Sequence, residues 1–214
     1  MALDSLLRGV KESALVPICR LLGRVASPTQ LTLIGFGLGL LAPLCVVAQW
    51  SLMANLLWWT NRLFDGIDGV VARVTHKQSD FGGYADILCD FTIYSLLPIS
   101  LVIADPSDTS YIIVALLEAF FFLNATSQMY LSALLEKRAL GSASTGEMTS
   151  VTFPTGLIEG TESMALVGLA LALPQWKDTF HVIFLIGIAF NIVYRVRWAH
   201  QNLKDVPKPL QETQ

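Results

Sequence analysis

Four aspartates lie close together in the sequence of this 214-residue chain: Asp65, Asp68, Asp86 and Asp90. On a helix, residues three or four positions apart share a face, so Asp65 pairs with Asp68 and Asp86 pairs with Asp90. Two facing pairs form a four-carboxylate site, which needs compensating cations if every carboxylate is to stay ionised. Ligands that are all carboxylate oxygen favour Mg²⁺, Mn²⁺ or Ca²⁺ over zinc or copper. Because Mg²⁺ is commonly held by carboxylates together with substrate phosphates, the pattern predicts divalent ions acting on a phosphate or diphosphate substrate, with two ions clamping a displacement at phosphorus.

Small residues are interleaved with these acids, namely Gly66, Gly69, Ala72, Gly82 and Gly83. In a membrane bundle such residues permit close helix packing, and beside an acid cluster they equally permit a nucleotide or a diphosphate to approach the backbone. Two other interpretations of the acids stay open. The acids could pair with Arg62, Arg73 and Lys77 to hold helices together, or they could line the ion pathway of a cation-coupled transporter.

The composition indicates which elements position these residues. Apolar residues make up 53% of the chain and charged residues only 14%, and the mean hydropathy is +0.56. These values exclude a soluble nucleic-acid binder and a disordered protein, and they predict an all-α integral membrane protein, since the apolar runs are too long and continuous for transmembrane strands. Six runs approach the ~20 residues that a bilayer requires. They are Leu31–Gln49, Leu52–Val71, Gly83–Ala104, Tyr111–Leu135, Gly156–Leu173 and Phe180–Trp198.

The positions of the basic residues predict the orientation of this six-helix bundle. With the N-terminus in the cytoplasm, 12 of the 14 Lys and Arg residues fall on the cytoplasmic side, Lys177 lies outside and Arg62 lies within the second span. Both termini and the acid cluster are therefore predicted to be cytoplasmic. The three scattered cysteines show neither a disulfide framework nor zinc-ligand spacing.

Three regions are predicted along the chain. Residues 1–26 form a cytoplasmic amphipathic helix, residues 27–203 form the six-span domain, and residues 204–214 form a flexible tail. The apolar stripe of the first region lies either on the inner leaflet or against the cytoplasmic end of the bundle, and both options stay open. It comprises Leu3, Leu7, Val10, Ala14, Ile18, Leu21 and Val25.

Written out, the acidic region is Asp65-Gly66-Ile67-Asp68-Gly69-Val70-Val71-Ala72-Arg73, followed by eight residues, Gly82, three residues, Asp86, three residues and Asp90. It resembles the signature of the CDP-alcohol phosphatidyltransferase family at every fixed position. The resemblance extends to the six predicted spans, the amphipathic N-terminal segment and the entry Pro28-Thr29-Gln30-Leu31-Thr32, although many members have Asn where this chain has Thr29.

The resemblance implies transfer of a substituted phosphate group, such as phosphatidyl from CDP-diacylglycerol, to an alcohol with release of CMP in phospholipid biosynthesis. It implies that Asp65, Asp68, Asp86 and Asp90 hold two Mg²⁺ or Mn²⁺ ions and that Asp90 also accepts the proton of the attacking hydroxyl. It further implies a homodimer and a nucleotide-binding set. That set comprises Gly69, Ala72 and Gly82, which line the CMP pocket, and Arg73 and Ser79, which contact the nucleotide or its phosphates.

The acceptor is less constrained by the sequence. Glu159 and Glu162 are predicted to face the cavity and bind it, with a structural pairing to Arg62 or Arg195 as the alternative. Arg195 is predicted to meet an acceptor phosphate, with an ordinary interface anchor as its alternative. A phosphatidylglycerophosphate or cardiolipin type of synthase is the leading hypothesis. The alternatives are an enzyme that joins a soluble CDP-alcohol to diacylglycerol and, in a different class, the cation-coupled transporter.

Overall fold

The structure is a computed structural model that describes residues 16–138 and 157–203. All regular secondary structure in these two ranges is helical, which confirms the predicted all-α class for this part of the chain. We number the helices in chain order, with a short 3₁₀ turn at Pro174–Trp176 before the last one. They are α1 (residues 16–25), α2 (Pro28–Val47), α3 (Ser51–Val74), α4 (Asp80–Ala104), α5 (Asp108–Lys137), α6 (Gly160–Ala172) and α7 (Lys177–Asn202).

Within the described ranges, four helical segments are long and apolar enough to cross a membrane, where the sequence predicts six. They are α2, α4, α5 and the segment Pro174–Asn202. The helix α3 has the length, with 24 residues or about 36 Å at ~1.5 Å per residue, but it carries the acids and several other polar side chains. The helix α6 is apolar but has only 13 residues, about 20 Å at the same rise, and the residues before position 157 lie outside the described part. The six-span count therefore stays a prediction.

Side chains at the helix starts explain where α2, α4 and α5 begin. The Ser27 hydroxyl accepts the backbone N–H of Gln30, and the Gln30 side chain accepts the backbone N–H of Ser27, so the two residues form a capping box before α2. Ser79 and Ser107 cap α4 and α5 in the same position. Each serine satisfies a backbone N–H that has no partner within its helix.

The helices form two groups. The first, here called the acidic group, consists of α2 packed along α3 and α4. The second consists of α5 packed along α7, and α6 joins the two groups by contacting both α3 and α7. Trp58 lies at the junction, where its indole N–H donates to the carbonyl of Met164 (3.3 Å) and its ring packs edge-on against Tyr94. Beside it, Trp59 lies against Gly168, where any side chain would collide with the indole ring.

The described part of the predicted amphipathic helix is α1, and it has two different faces. Cys19 is fully buried, and Gly23 lies so close to Val71 and Thr75 of the α3 end that an added Cβ would collide with them. On the other face Ile18, Leu21 and Val25 are exposed. One face therefore packs on the bundle, while the three stripe residues in the described part point away from it. The rest of that prediction, residues 1–15, lies outside the described part.

The opposite end of the bundle is held by polar pairs. Lys177, the basic residue predicted to lie on the outer side of the membrane, is buried and donates to Asp105 at the end of α4 (2.5 Å). Ser110, near the start of α5, donates to Asp178 (2.8 Å). These contacts tie the start of α7 to the neighbouring helix ends. They place the starts of α5 and α7 beside the end of α4, as antiparallel spans require.

Candidate active site

Three of the four predicted metal ligands meet between α3 and α4. Asp65, Asp86 and Asp90 each offer a carboxylate oxygen, and these oxygens all lie within 4.8 Å of one another. Since oxygen ligands lie ~2.0–2.6 Å from Mg²⁺ or Ca²⁺, oxygens on opposite sides of one ion are about 4–5 Å apart. The three side chains therefore fit a hard divalent cation, both in their chemistry and in their spacing.

Asp68 lies in the same pocket but has a different environment. Its side chain is buried, and its Oδ2 accepts a hydrogen bond from the hydroxyl of Thr32 on α2. The pocket is lined by the four acids together with neighbours from all three helices of the acidic group. These neighbours are Thr32, Gly35, Phe36, Asn61 and Cys89. A site with all four carboxylates and two ions stays a prediction, and the structure brings together the carboxylates of Asp65, Asp86 and Asp90.

The guanidinium of Arg62 lies at these acids. Its Nη2 donates to Asp90 Oδ1 (2.6 Å), and its Nη1 lies 3.7 Å from Asp65 Oδ2. The pairing interpretation of the acids thus applies to Arg62, which balances one negative charge of the cluster. Lys77 has a different contact, since its Nζ donates to the backbone carbonyl of Gly23 on α1 (3.5 Å).

The predicted nucleotide-binding residues lie at the end of α3 and the start of α4. No atom lies near the position of a Cβ on Gly66, and near that on Gly69 the first neighbour is the Arg73 guanidinium at 3.4 Å. Ser79 is the N-cap of α4 and accepts the backbone N–H of Gly82 (3.1 Å), which gives it a structural role that the sequence analysis did not consider. Binding of a nucleotide by Gly69, Ala72, Arg73, Ser79 and Gly82 stays a prediction.

The predicted acceptor residues have structural partners. Glu159 and Glu162 form a capping box at the start of α6, in which Glu162 Oε2 accepts the backbone N–H of Glu159 (3.1 Å). Arg195 is buried inside the bundle, where its Nη1 donates to the carbonyl and to the side-chain oxygen of Asn124 (both 3.1 Å). The buried Nε–H of Arg195 has no hydrogen-bond partner within the described residues. An acceptor-binding role for all three residues stays a prediction.

Two buried asparagines were not predicted from the sequence, one beside the acids and one before α6. Asn61 donates to the backbone carbonyl of Gly35 on α2 (3.0 Å) and accepts from Arg62. Asn191 on α7 accepts the backbone N–H groups of Leu157 and Ile158 just before α6. Both amides are buried in apolar helices, where a polar side chain needs a partner. An asparagine within an apolar run was therefore the sequence feature that could have identified them.

Comparison with known proteins shows which chains are similar to this one. The family model described as CDP-alcohol phosphatidyltransferase matches residues 25–194. The inner membrane protein YnjF of Escherichia coli (strain K12) is 35% identical over 158 residues, which cover 74% of this chain and 75% of that relative. The archaetidylinositol phosphate synthase of Pyrococcus horikoshii is 39% identical over 64 residues, which cover 30% of this chain and 34% of that relative. A bifunctional IPC transferase and DIPP synthase of Thermococcus kodakarensis is 34% identical over 73 residues, which cover 34% of this chain and 17% of that relative.

Proposed function

The chain belongs to the CDP-alcohol phosphatidyltransferase family, and from that premise we propose that it transfers a phosphatidyl group from CDP-diacylglycerol to an alcohol and releases CMP. The observation that carries the proposal is the meeting of three signature aspartates, Asp65, Asp86 and Asp90, in one pocket between two helices of the matched region. A cation-coupled transporter would use the same acids, but it has no need of the complete CDP-linked signature.

The residues of the pocket have separate tasks in this proposal. Asp65, Asp86 and Asp90, with Asp68 beside them, would hold Mg²⁺ or Mn²⁺, which would supply positive charge to the donor diphosphate and the CMP leaving group. Asp90 accepts the proton of the attacking hydroxyl, because an alcohol keeps its proton at neutral pH and is a poor nucleophile until that proton is removed. Gly69, Ala72 and Gly82 leave room for the nucleotide, and Arg73 and Ser79 contact it.

We take the acceptor to be an alcohol that carries a phosphate, as glycerol phosphate and inositol phosphate both do. The Nε–H of the buried Arg195 has no partner in the described part of the chain, and this supports the choice, since a guanidinium donor inside a protein is normally paired and phosphate is a ligand that it favours. One relative is named for the synthesis of archaetidylinositol phosphate, which is consistent with the same choice. A phosphatidylglycerophosphate or cardiolipin type of synthase remains within this class.

We also propose that the site opens to the cytoplasm, that both termini lie there, and that the enzyme is a homodimer. The count of Lys and Arg residues supports the orientation. The lipid donor supports a site that is open sideways between helices, because its acyl chains can then stay in the bilayer while its headgroup reacts. A location in the membrane is supported by the apolar helices of the chain and by the relative named as an inner membrane protein.

CMP release by the purified protein tests the proposal. CDP-diacylglycerol and Mg²⁺ are supplied with a panel of acceptors that includes glycerol phosphate, inositol phosphate, phosphatidylglycerol, serine and inositol, with and without EDTA. Metal-dependent CMP release with a phosphate-bearing acceptor is the expected result. Release with soluble CDP-choline or CDP-ethanolamine and diacylglycerol, but not with CDP-diacylglycerol, would show that the donor is a soluble CDP-alcohol and the acceptor is diacylglycerol. A folded protein that releases no CMP in either arm would contradict the transferase.

A further inference from the structure

Arg62 is buried next to the predicted base and is fixed from several sides. Its Nε and Nη2 both donate to Asn61 Oδ1 (3.0 and 2.7 Å), and its Nη2 also donates to Asp90 Oδ1 (2.6 Å). Its Cζ lies 4.8 Å from the ring centroid of Trp58 and 5.2 Å from that of Tyr94. The side chain retains only 4% of its solvent exposure, so these contacts leave it little freedom to move.

The contacts that hold Arg62 extend to α2. Asn61 donates to the backbone carbonyl of Gly35 on α2, and Gly35 lies so close to Phe64 of α3 that an added Cβ would collide with it. The orientation of the Arg62 guanidinium is therefore set by the packing of α2 on α3. Through its hydrogen bond, Arg62 transmits that orientation to Asp90 on α4.

The charge of Arg62 also affects the acids as a group. A guanidinium does not lose its proton in proteins, so Arg62 keeps its positive charge at every working pH. A buried arginine is tolerated only with paired charges and hydrogen bonds, and here Asp90 and Asp65 supply the charges. Its permanent charge opposes the binding of a divalent cation by the same carboxylates, since both cations are attracted to the same oxygens.

We propose that Arg62 is a positioning residue that fixes the orientation of the Asp90 carboxylate for proton acceptance and, as a permanent counter-cation, weakens the hold of the acid cluster on the divalent ion. The inference rests on the proposed function. It assigns to this side chain a task outside the fixed positions of the family signature. Asp90 is presented in one orientation, and the ion is bound loosely enough to respond to the arrival of the donor diphosphate.

The test compares Arg62→Gln, Arg62→Lys and a matched control, Arg24→Met, which removes the same charge from an exposed position on α1. Binding of Mn²⁺ to the purified protein without donor is measured by electron paramagnetic resonance, and turnover is measured as CMP release. Arg62→Gln is expected to bind Mn²⁺ about tenfold more tightly, because a nearby positive charge is gone. It is expected to lose at least about tenfold in kcat with little change in the KM of the donor, because Asp90 is no longer held.

Arg62→Lys separates the charge from the geometry. It keeps the charge but not the planar fork of donors, so its Mn²⁺ affinity should stay within about twofold of wild type while its kcat falls. Arg24→Met should match wild type in both measurements, since an exposed charge at a distance is screened. A purely structural role for Arg62 would instead lower metal affinity and turnover together.

Three outcomes would overturn the inference. They are unchanged or weaker Mn²⁺ binding in Arg62→Gln, the same Mn²⁺ affinity in Arg62→Lys as in Arg62→Gln, and wild-type turnover in Arg62→Lys. If Arg62→Gln is recovered only as unfolded protein, the Arg62→Lys variant decides. Wild-type Mn²⁺ affinity with a lowered kcat would support the inference, and a wild-type kcat would refute it. Failure of the proposed function is distinguishable, since the wild-type protein would then bind no Mn²⁺ or release no CMP.

Discussion

Asp90 and Asp80 are side chains of the same type on the same helix, but their environments differ. Asp90 lies among the other acids and accepts from Arg62, whereas Asp80 is exposed in the first turn of α4. Asp90→Asn keeps the size of the side chain and an oxygen that can accept from Arg62. It removes the charge that accepts a proton and binds metal.

Asp90→Asn is therefore expected to lower CMP release by about a thousandfold or more, since general-base catalysis alone contributes about 10²–10⁴ and metal binding is impaired in addition. Asp80→Asn is the control and should retain wild-type turnover. Both variants should elute as monodisperse protein in detergent. Residual activity of Asp90→Asn near that of Asp80→Asn would show that Asp90 is not the base.

Thr32 gives a second prediction at the scale of single residues. Its hydroxyl donates to Asp68 Oδ2, and Thr32→Val replaces that hydroxyl with a methyl group of nearly the same size. Loss of a group that orients a metal ligand costs about 10–100-fold in metal affinity, so the Mg²⁺ concentration needed for half-maximal turnover should rise by about tenfold or more. Thr32→Ser keeps the donor and should restore the wild-type requirement. An equal loss in both variants would assign the effect to packing.

The sequence was sufficient to predict the acids as a group and to name Arg62 as a possible partner, but it did not determine which contacts form. Spacing within one helix is fixed by helix geometry, so Asp86 and Asp90 could be assigned to one face before any fold was known. The contacts of Thr32 with Asp68 and of Arg62 with Asp90 join different helices. They depend on the relative rotation and height of those helices, which the sequence pattern does not determine.

At the scale of helices, the start of α6 is held by close packing against α7. Ile158 lies against Gly187, where an added Cβ would collide with the isoleucine side chain, and Asn191 binds the backbone next to it. Gly187→Ala forces this contact apart, which costs about 1–3 kcal/mol when a packed interior is overfilled. The melting temperature in detergent should therefore fall.

The matched control is Gly37→Ala on α2, because no atom lies within 4 Å of a Cβ added there. This variant should unfold at the wild-type temperature or slightly above it, since alanine favours a helix over glycine. A similar loss of stability in both variants would show that glycine is needed for a reason other than the Ile158 contact.

The helix predictions succeeded where apolar residues dominate and were less certain where polar ones intervene. The runs assigned to α2, α4 and α5 correspond to helices that are long and apolar enough to cross a membrane. The run assigned to α3 is interrupted by Asn61, Arg62 and the acids, because this helix carries the site. A hydropathy pattern cannot distinguish a span that lines a polar pocket from a helix that does not cross the bilayer.

At the scale of the whole molecule, the orientation can be tested from both sides of the membrane. Gln78 lies in the exposed connection between α3 and α4, and Thr109 lies in the exposed first turn of α5. The Gln78→Cys variant should react with a membrane-impermeant maleimide only in inside-out vesicles. The Thr109→Cys variant should react only in right-side-out vesicles, with the wild-type protein as the background for its own cysteines. The reverse pattern would contradict the cytoplasmic site.

The division into two helix groups has a consequence for how enzymes of this kind could diversify. The acids and the residues that orient them all lie on α2, α3 and α4, whereas Arg195 and its partner Asn124 lie on α7 and α5. On the proposal that Arg195 binds the acceptor, we expect substitutions on α5 and α7 to alter the choice of alcohol while the acid cluster stays intact. A chimera can join residues 1–104 of this chain to the last helices of a relative that uses another acceptor. It should keep CMP release and acquire the acceptor preference of that relative.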